Sequence, residues 1–336
     1  MEKHVNIKDL NEGSAISGTY IINNVGINVA SSGNRYLCGS LSDATGSVCL
    51  RAWDYKGQLT SADNGSIVNV RGNVVSYKDA PQVTAESIEL FPGEKLCEEV
   101  ISQLVPVAPI NFEAARNALY QYIESISDCS LYGICKYLIN KHAGKFFFIP
   151  AAKSIHHGFR YGLLMHTLNM CGLSASIAKR YGSISYDLLM AGTILHDIGK
   201  TKEFSVSPVT GLVTDYSLIG NSLGHACIGV MEIEEAAKMV NADCNVVLQL
   251  EHLILSHHGS MEYGAAKVPI TLEAEILHCV DMIDSRCEIY HENLSDVGYG
   301  DLSKYIPALE KRILRNPIEC VLTDRHYISA GGLSNG

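Results

Sequence analysis

At 336 residues the chain is longer than one typical small domain, and 47% hydrophobic content marks it as globular rather than disordered; two domains are therefore expected. The start, MEKHVNIKDLNEGS, lacks the basic-then-apolar pattern of a signal peptide and no later apolar run reaches bilayer length, which predicts a cytoplasmic protein with no membrane contact. A formal charge of -10 argues against coating duplex nucleic acid by neutralising many phosphates, so any such contact must be local. Eleven cysteines, an odd number with no CxxC pair, read as reduced thiols.

From Gly13 to about Glu89 apolar and polar residues alternate in short runs, broken by turn signals at Ser31-Ser32-Gly33-Asn34, Thr45-Gly46 and Asn64-Gly65. Five strands are drawn, Ala15–Val29, Tyr36–Ser40, Ser47–Trp53, Ser66–Tyr77 and Gln82–Leu90, with a short helix before Asn64. Five antiparallel strands fit a small closed barrel of the OB type. Phe91-Pro92-Gly93 ends this region, and Pro106 and Pro109 follow around one helical segment. Beyond Asn111 the period lengthens: Phe112, Ala115, Leu119, Tyr122 and Ile126 fall at spacings of three and four, and similar stripes recur to about Leu314. The fold is therefore expected to be multidomain: a small all-β OB-like barrel in residues 1–92, a helical connector in 93–145, an all-α bundle in 146–315 and a C-terminal tail in 316–336, whose Gly- and Ser-rich end from Ser329 to Gly336 is expected to fray.

The sharpest chemical signal is Leu195-His196-Asp197-Ile198-Gly199-Lys200 at the end of an apolar helix. An imidazole and a carboxylate can bind one cation, and the second carboxylate oxygen can bridge to another, which makes Asp197 the candidate bridging ligand. Lys200, one helical turn on, can hold a phosphate oxygen as a point charge, and Gly199 leaves room for close approach. A His-Asp pair alone means little; its companions decide. His166 sits in an apolar helical stretch, His225 near a helix start, His257-His258 at the end of the apolar helix Val246–Ser256, and Asp281 and Asp284 interrupt another apolar helix. Burying that many unpaired polar groups is costly, and successive helices that each carry one His or Asp are how helical bundles build metal sites.

The ordered series His166, His196-Asp197, His225, His257-His258, Asp281 resembles the signature of the HD superfamily of metal-dependent phosphohydrolases, over roughly Phe147 to Tyr290. The resemblance implies that His166, His196, Asp197 and Asp281 hold a first divalent ion, and that Asp197, His225 and one of His257 or His258 hold a second. Single-metal HD proteins typically lack the middle histidines that this chain retains. More narrowly, a barrel ahead of HHGFRYGLLMHT, HDIGK, LGH, LILSHHG and EAEILHCVDMID is similar to the YhaM-type 3′-5′ exoribonucleases over most of the chain. That resemblance makes residues 146–315 an HD domain and residues 1–92 a nucleic-acid-binding OB domain. It implies the 3′ end of single-stranded RNA or DNA as partner and nucleoside 5′-monophosphates as products; a homo-oligomer is an allowed assembly.

Within the barrel, Leu41-Ser-Asp43-Ala-Thr45-Gly46 followed by Val48 to Trp53 resembles the strand hairpin of nucleic-acid-binding OB domains. Tyr36, Trp53, Tyr77 and Phe91 offer flat surfaces to unpaired bases, with Arg51, Lys56, Arg71 and Lys78 near phosphates. Barrel core and solvated surface is an equal alternative for each. His156, His157 and Arg160 precede the first candidate ligand and can meet a substrate phosphate, as can Arg286 on the last ligand helix. Asp197 and Lys200 are the catalytic candidates: two cations on Asp197 would activate water and neutralise the phosphodiester, and Lys200 would stabilise the transition state. Imidazole and carboxylate donors suit Mn²⁺ first, then Fe²⁺, Co²⁺ or Ni²⁺. The competing expectations are an HD phosphodiesterase of a small nucleotide or cyclic dinucleotide, and a non-enzymatic binding module with an inactive HD site.

Overall fold

The alternating N-terminal segments pair as strands in the computed structural model, which describes residues 4–30, 33–77, 80–152, 158–207 and 210–318. They are β1 (Ala15–Val29), β2 (Arg35–Asp43), β3 (Gly46–Ala52), β4 (Ile67–Tyr77) and β5 (Ala80–Leu90), closed into a barrel in the order β1-β2-β3-β5-β4. The expected strands are all present, β2 longer than drawn, and a 3-10 turn at Ser61–Asp63 stands where a helix was expected before Asn64. All neighbours are antiparallel except β3 and β5, so the purely antiparallel expectation is corrected at one seam.

Asp43 explains the tight β2–β3 hairpin. Its Oδ1 accepts from the Thr45 backbone N–H at 2.7 Å and hydroxyl at 2.6 Å, and its Oδ2 accepts from the Ile7 N–H at 2.8 Å. One carboxylate thus nucleates the turn and ties down the segment before β1. The barrel interior is filled by Ile16, Tyr20, Ile22, Leu37, Leu41, Leu50, Val68 and Val83. Helix α1 (Glu98–Leu104) packs Val100 and Leu104 on Ile21 and Ile67, and Phe91 joins this cluster. Phe91 is thus partly buried against this cluster.

The chain divides into two compact units, one of Met1–Val107 with Ser207–Leu212 and one of Ala108–Val206 with Val213–Gly336. The second contains α2 (Phe112–Glu124), α3 (Cys129–Phe146), α4 (Gly162–Arg180), α5 (Tyr186–Leu195), the single turn α6 (Lys200–Glu203), α7 (Leu218–Val240), α8 (Cys244–Ser256) and α9 (Leu272–Leu294). Asn111, Asp128, Ser185, Ser217, Asp243 and Thr271 accept backbone N–H bonds from the first turns they precede, so most helix starts carry a side-chain cap. The bundle core is built from Leu119, Ile134, Leu138, Phe146, Leu164, Ile194, Ile233 and Leu250. It is not wholly helical: β6 (Phe204–Val206) and β7 (Val213–Tyr216) form a small hairpin after α6. Isolated bridges Leu302 to Leu314 and Ile306 to Lys311 fold another after α9. Among the described residues no helix is long and apolar enough to cross a membrane.

Candidate active site and metal centre

Five elements converge on one point. Helix α4 brings His166; the end of α5 brings His196 and Asp197; α7 brings His225; the end of α8 brings His257 and His258; and α9 brings Asp281. His225 follows Gly224, whose φ of 70° interrupts α7, so it opens the second segment of a kinked helix. One ligand atom each from His166, His196 and Asp281 falls within 4.8 Å of the others, and likewise for His225, His257 and His258.

Asp197 stands between the two groups. Its Oδ2 lies 3.2 Å from His196 Nε2 and 3.9 Å from His166 Nε2, while Oδ1 lies 3.5 Å from His225 Nε2. Each carboxylate oxygen thus faces a different cluster.

The imidazoles are oriented from behind. His196 Nδ1–H donates to the Thr193 carbonyl at 2.8 Å, His257 Nδ1–H to Ile254 at 2.6 Å and His258 Nδ1–H to Tyr263 at 2.7 Å. His166 Nδ1 meets the Asp284 carboxylate at 2.6 Å, and His225 Nδ1 meets Glu203 at 3.3 Å. A carbonyl can only accept, so in the neutral ring Nε2 is left as a bare lone pair directed inward. Yet the Nε2 atoms of His166 and His196 are 3.2 Å apart, and those of His225 and His258 are 3.0 Å apart. Lone pairs set against one another and against two carboxylates repel unless positive charge lies among them. The donor set therefore fits divalent cations with nitrogen and oxygen ligands.

Titration follows the same geometry. Burial, reinforced by its histidine neighbours, keeps His257 well below the usual imidazole range, and burial with His225 lowers His258. Burial opposes ionisation of Asp197, but Lys200 and His196 overcome it and hold the carboxylate well below its ordinary value. Burial would depress His166 too, yet Asp281 and Asp284 carry it up to about 10.

Two expected details change. Lys200 Nζ sits on Asp197 Oδ2 at 2.7 Å, so here the cation is paired with the carboxylate. Gly199 is required by protein rather than substrate: a Cβ there would stand 2.0 Å from the His225 carbonyl oxygen. Sequence reasoning missed Glu203, nearly buried and bonded to both the backbone N–H and Nδ1 of His225. It also missed Asn169, whose amide donates to Asp284 Oδ1 at 2.9 Å. Asp284 was legible from its one-turn spacing to Asp281; Glu203 carried no signal beyond its position after the HDIGK motif.

The clusters open on a cleft of about 720 Å³ whose lining includes Lys200, Arg286 and Tyr263. A second hollow of about 360 Å³, bounded by Asp128, Asp187 and Asn245, holds no histidine. Arg160 does not line the cleft; its guanidinium lies over Phe148 and Tyr161 at 5.8 and 5.2 Å. His156 and His157 lie outside the described residues, as does Lys78.

On the barrel, Tyr36 and Trp53 have ring centroids 4.8 Å apart, and the Arg51 guanidinium lies 5.4 Å from the Tyr36 ring, 5.6 Å from Trp53 and 5.4 Å from Tyr77. Arg51 Nε donates to the buried Gln82 at 3.1 Å, which fixes the cation at the centre of the aromatics. Tyr36 on β2, Trp53 just after β3 and Tyr77 at the end of β4 thus place their rings around one positive charge, with Trp53 and Tyr77 about half exposed. This is a surface suited to stacking unpaired bases.

Comparison with known proteins matches both halves. A family profile described as HD domain matches residues 163–286, and one described as OB-fold nucleic acid binding domain matches residues 21–91. The 3′-5′ exoribonuclease YhaM of Bacillus subtilis (strain 168) is 37% identical over 86% of this chain and 90% of its own length. The chain belongs to the YhaM family. The YhaM of Bacillus licheniformis is 36% identical over 86% of this chain and 91% of its own. Among solved structures, the HD domain of the phosphodiesterase PgpH of L. monocytogenes covers 46% of this chain and 72% of its own, at 16% identity and a TM-score of 0.26.

Proposed function

We propose that the chain is a metal-dependent 3′-5′ exoribonuclease, hydrolysing phosphodiester bonds of single-stranded RNA, and of single-stranded DNA where offered, to nucleoside 5′-monophosphates. The observation that carries the reading is Asp197, in a member of the YhaM family, with one carboxylate oxygen facing each of two clusters of inward-directed imidazoles. His166, His196, Asp197 and Asp281 would hold one divalent ion, and Asp197, His225 and His257 or His258 a second, with Mn²⁺ the first choice for this donor set. When bound, such ions make water nucleophilic near neutral pH and neutralise charge on the phosphodiester.

The chain's own residues do the rest. Asp284, Glu203 and the backbone carbonyls hold the rings in fixed orientations, which limits the reorganisation required when substrate arrives. Burial with the neighbouring histidines keeps His257 well below the usual imidazole range and lowers His258, which favours the unprotonated rings that offer donor lone pairs. Lys200 lines the cleft with its ammonium on Asp197, from where this point charge can meet negative charge as it grows on the phosphate oxygens. The barrel, residues 1–92, would hold unpaired bases through Tyr36, Trp53 and Tyr77 about Arg51, ahead of a connector (93–145) and the HD domain (146–315). A reducing compartment such as the cytoplasm suits the cysteines, free throughout the described residues.

The test is a 5′-labelled single-stranded RNA incubated with wild type or Asp197→Ala, with Mn²⁺ and in parallel with chelator. A metal-dependent ladder shortening from the 3′ end, absent in the variant, is expected. Intact RNA would overturn the reading.

A further inference from the structure

The rim of the cleft is unequal at its two ends. On the side of His225 and His258 it carries two tyrosines: Tyr216, 39% exposed with its ring edge-on to Phe204 at 5.6 Å, and Tyr263, 70% exposed, whose backbone carbonyl holds His258 Nδ1. On the side of Asp281 the lining continues along α9 to Arg286 and ends on the hairpin after that helix. This hairpin is firmly attached. Ile306 and Ile313 bury against Ile289, and Arg315 donates to the Leu294 carbonyl at the end of α9 at 3.2 Å. Lys311 lines the cleft, exposed, with its ammonium 5.9 Å from the Tyr290 ring, and Glu310 beside it is the opposing charge. Within residues 298–315 the basic Lys304, Lys311, Arg312 and Arg315 outnumber the acidic Asp301 and Glu310, against a chain charge of -10.

A single strand held at its 3′ end is equally unsymmetrical about the scissile bond. The departing piece is one nucleoside 5′-monophosphate, whose single phosphate is the reacting group and whose remainder is one sugar and one base, whereas the retained strand ends in a 3′-OH and carries a run of phosphates behind it. Aromatic rings match a base, and cations match a run of phosphates. We propose that the retained strand runs along the post-α9 hairpin with its phosphates against Arg286 and Lys311, and that the departing 3′ nucleoside lies at the Tyr216 and Tyr263 end. This polarity rests on the exoribonuclease reading and adds the direction of threading and Lys311, Tyr216 and Tyr263 as binding residues.

The full chain with Mn²⁺ is assayed on a 5′-labelled single-stranded RNA and on the p-nitrophenyl ester of thymidine 5′-phosphate, which keeps the departing nucleotide and replaces the retained strand by nitrophenol. Lys311→Ala should raise KM for RNA roughly ten-fold with little change in kcat, and should flatten the log–log salt dependence by about 0.7, the share of one single-strand phosphate. Lys311→Arg should restore both, and the ester should suffer less than the RNA. Tyr263→Ala should instead lower kcat/KM on both substrates by a similar factor. Equal losses of Lys311→Ala on the two substrates, or an unchanged KM and salt slope on RNA, overturn the proposal. Hydrolysis of the ester by wild type with RNA left intact sinks the exoribonuclease reading itself, and the polarity with it.

Discussion

Asp284 Oδ2 accepts the Nδ1–H of His166 at 2.6 Å, while its Oδ1 takes the Asn169 amide at 2.9 Å. The carboxylate is almost fully buried, so both oxygens are committed to the protein and the ring behind them cannot turn. Asp284→Asn keeps the shape but can offer N–H to Nδ1, which removes the constraint on the tautomer. A loss of about 10–100-fold in metal affinity is expected, in the range typical for partners that orient ligating histidines. Isothermal titration of chelator-treated protein with Mn²⁺ checks it, and wild-type affinity in the variant would refute it.

Gly199 and His225 define a second test. With the carbonyl oxygen of His225 standing 2.0 Å from where a Cβ would go, Gly199→Ala must push the kinked start of α7 away from α6. Overpacking of this kind costs about 1–3 kcal/mol. Bound metal per chain should fall along with the melting temperature, because His225 belongs to one cluster only; elemental analysis after dialysis against Mn²⁺ reads it.

Glu232 on α7 is a buried carboxylate that the chemistry does not use. It is bonded to His142 at 2.6 Å, Lys141 at 2.9 Å and Lys202, and Thr201 in turn contacts His142 at 3.2 Å, so the cluster anchors the turn that carries Lys200. Burial opposes its ionisation, yet Lys202, Lys141 and His142 bring it down from 4.5 to about 2. A carboxylate depressed on folding stabilises the protein above its unfolded value and loses that contribution as pH falls from 4.5 through about 2. A shift of this size corresponds to about 3 kcal/mol. Burial lowers His142 despite Glu232, so it too favours unfolding as pH drops below 6.5. Urea denaturation of Glu232→Gln should show lower stability at pH 7 and a flatter acid limb below pH 4.5 than wild type; coincident limbs would refute the assignment.

Trp53 is the single tryptophan of the chain, so its emission reports on the barrel alone. Titrating Asp197→Ala protein with a single-stranded RNA should quench that emission. Arg51→Ala, which removes the cation between Tyr36, Trp53 and Tyr77, should weaken binding by about 1–3 kcal/mol if it costs one stacked base. Unchanged emission on saturation would exclude this face from the contact.

Two periods and one ordered set of histidines were enough to read the architecture. Alternation from Gly13 to Glu89 marks a barrel, and the three-and-four spacing after Asn111 marks a bundle, because each is a local consequence of how strands and helices expose one face. The series from His166 to Asp281 is equally visible, since each residue stands within or at the end of a largely apolar helix. What surrounds those residues was decided only in three dimensions. Asp284 supports a ring 118 residues earlier, Glu203 orients His225 across a kink, and Arg51 is centred among aromatics from three separate stretches of the chain. The hairpin after α9 joined the cleft although its sequence reads only as the end of a helical region. Period and residue type are written along the chain, whereas hydrogen-bond partners and cleft walls depend on which helix faces meet, and that is set by packing.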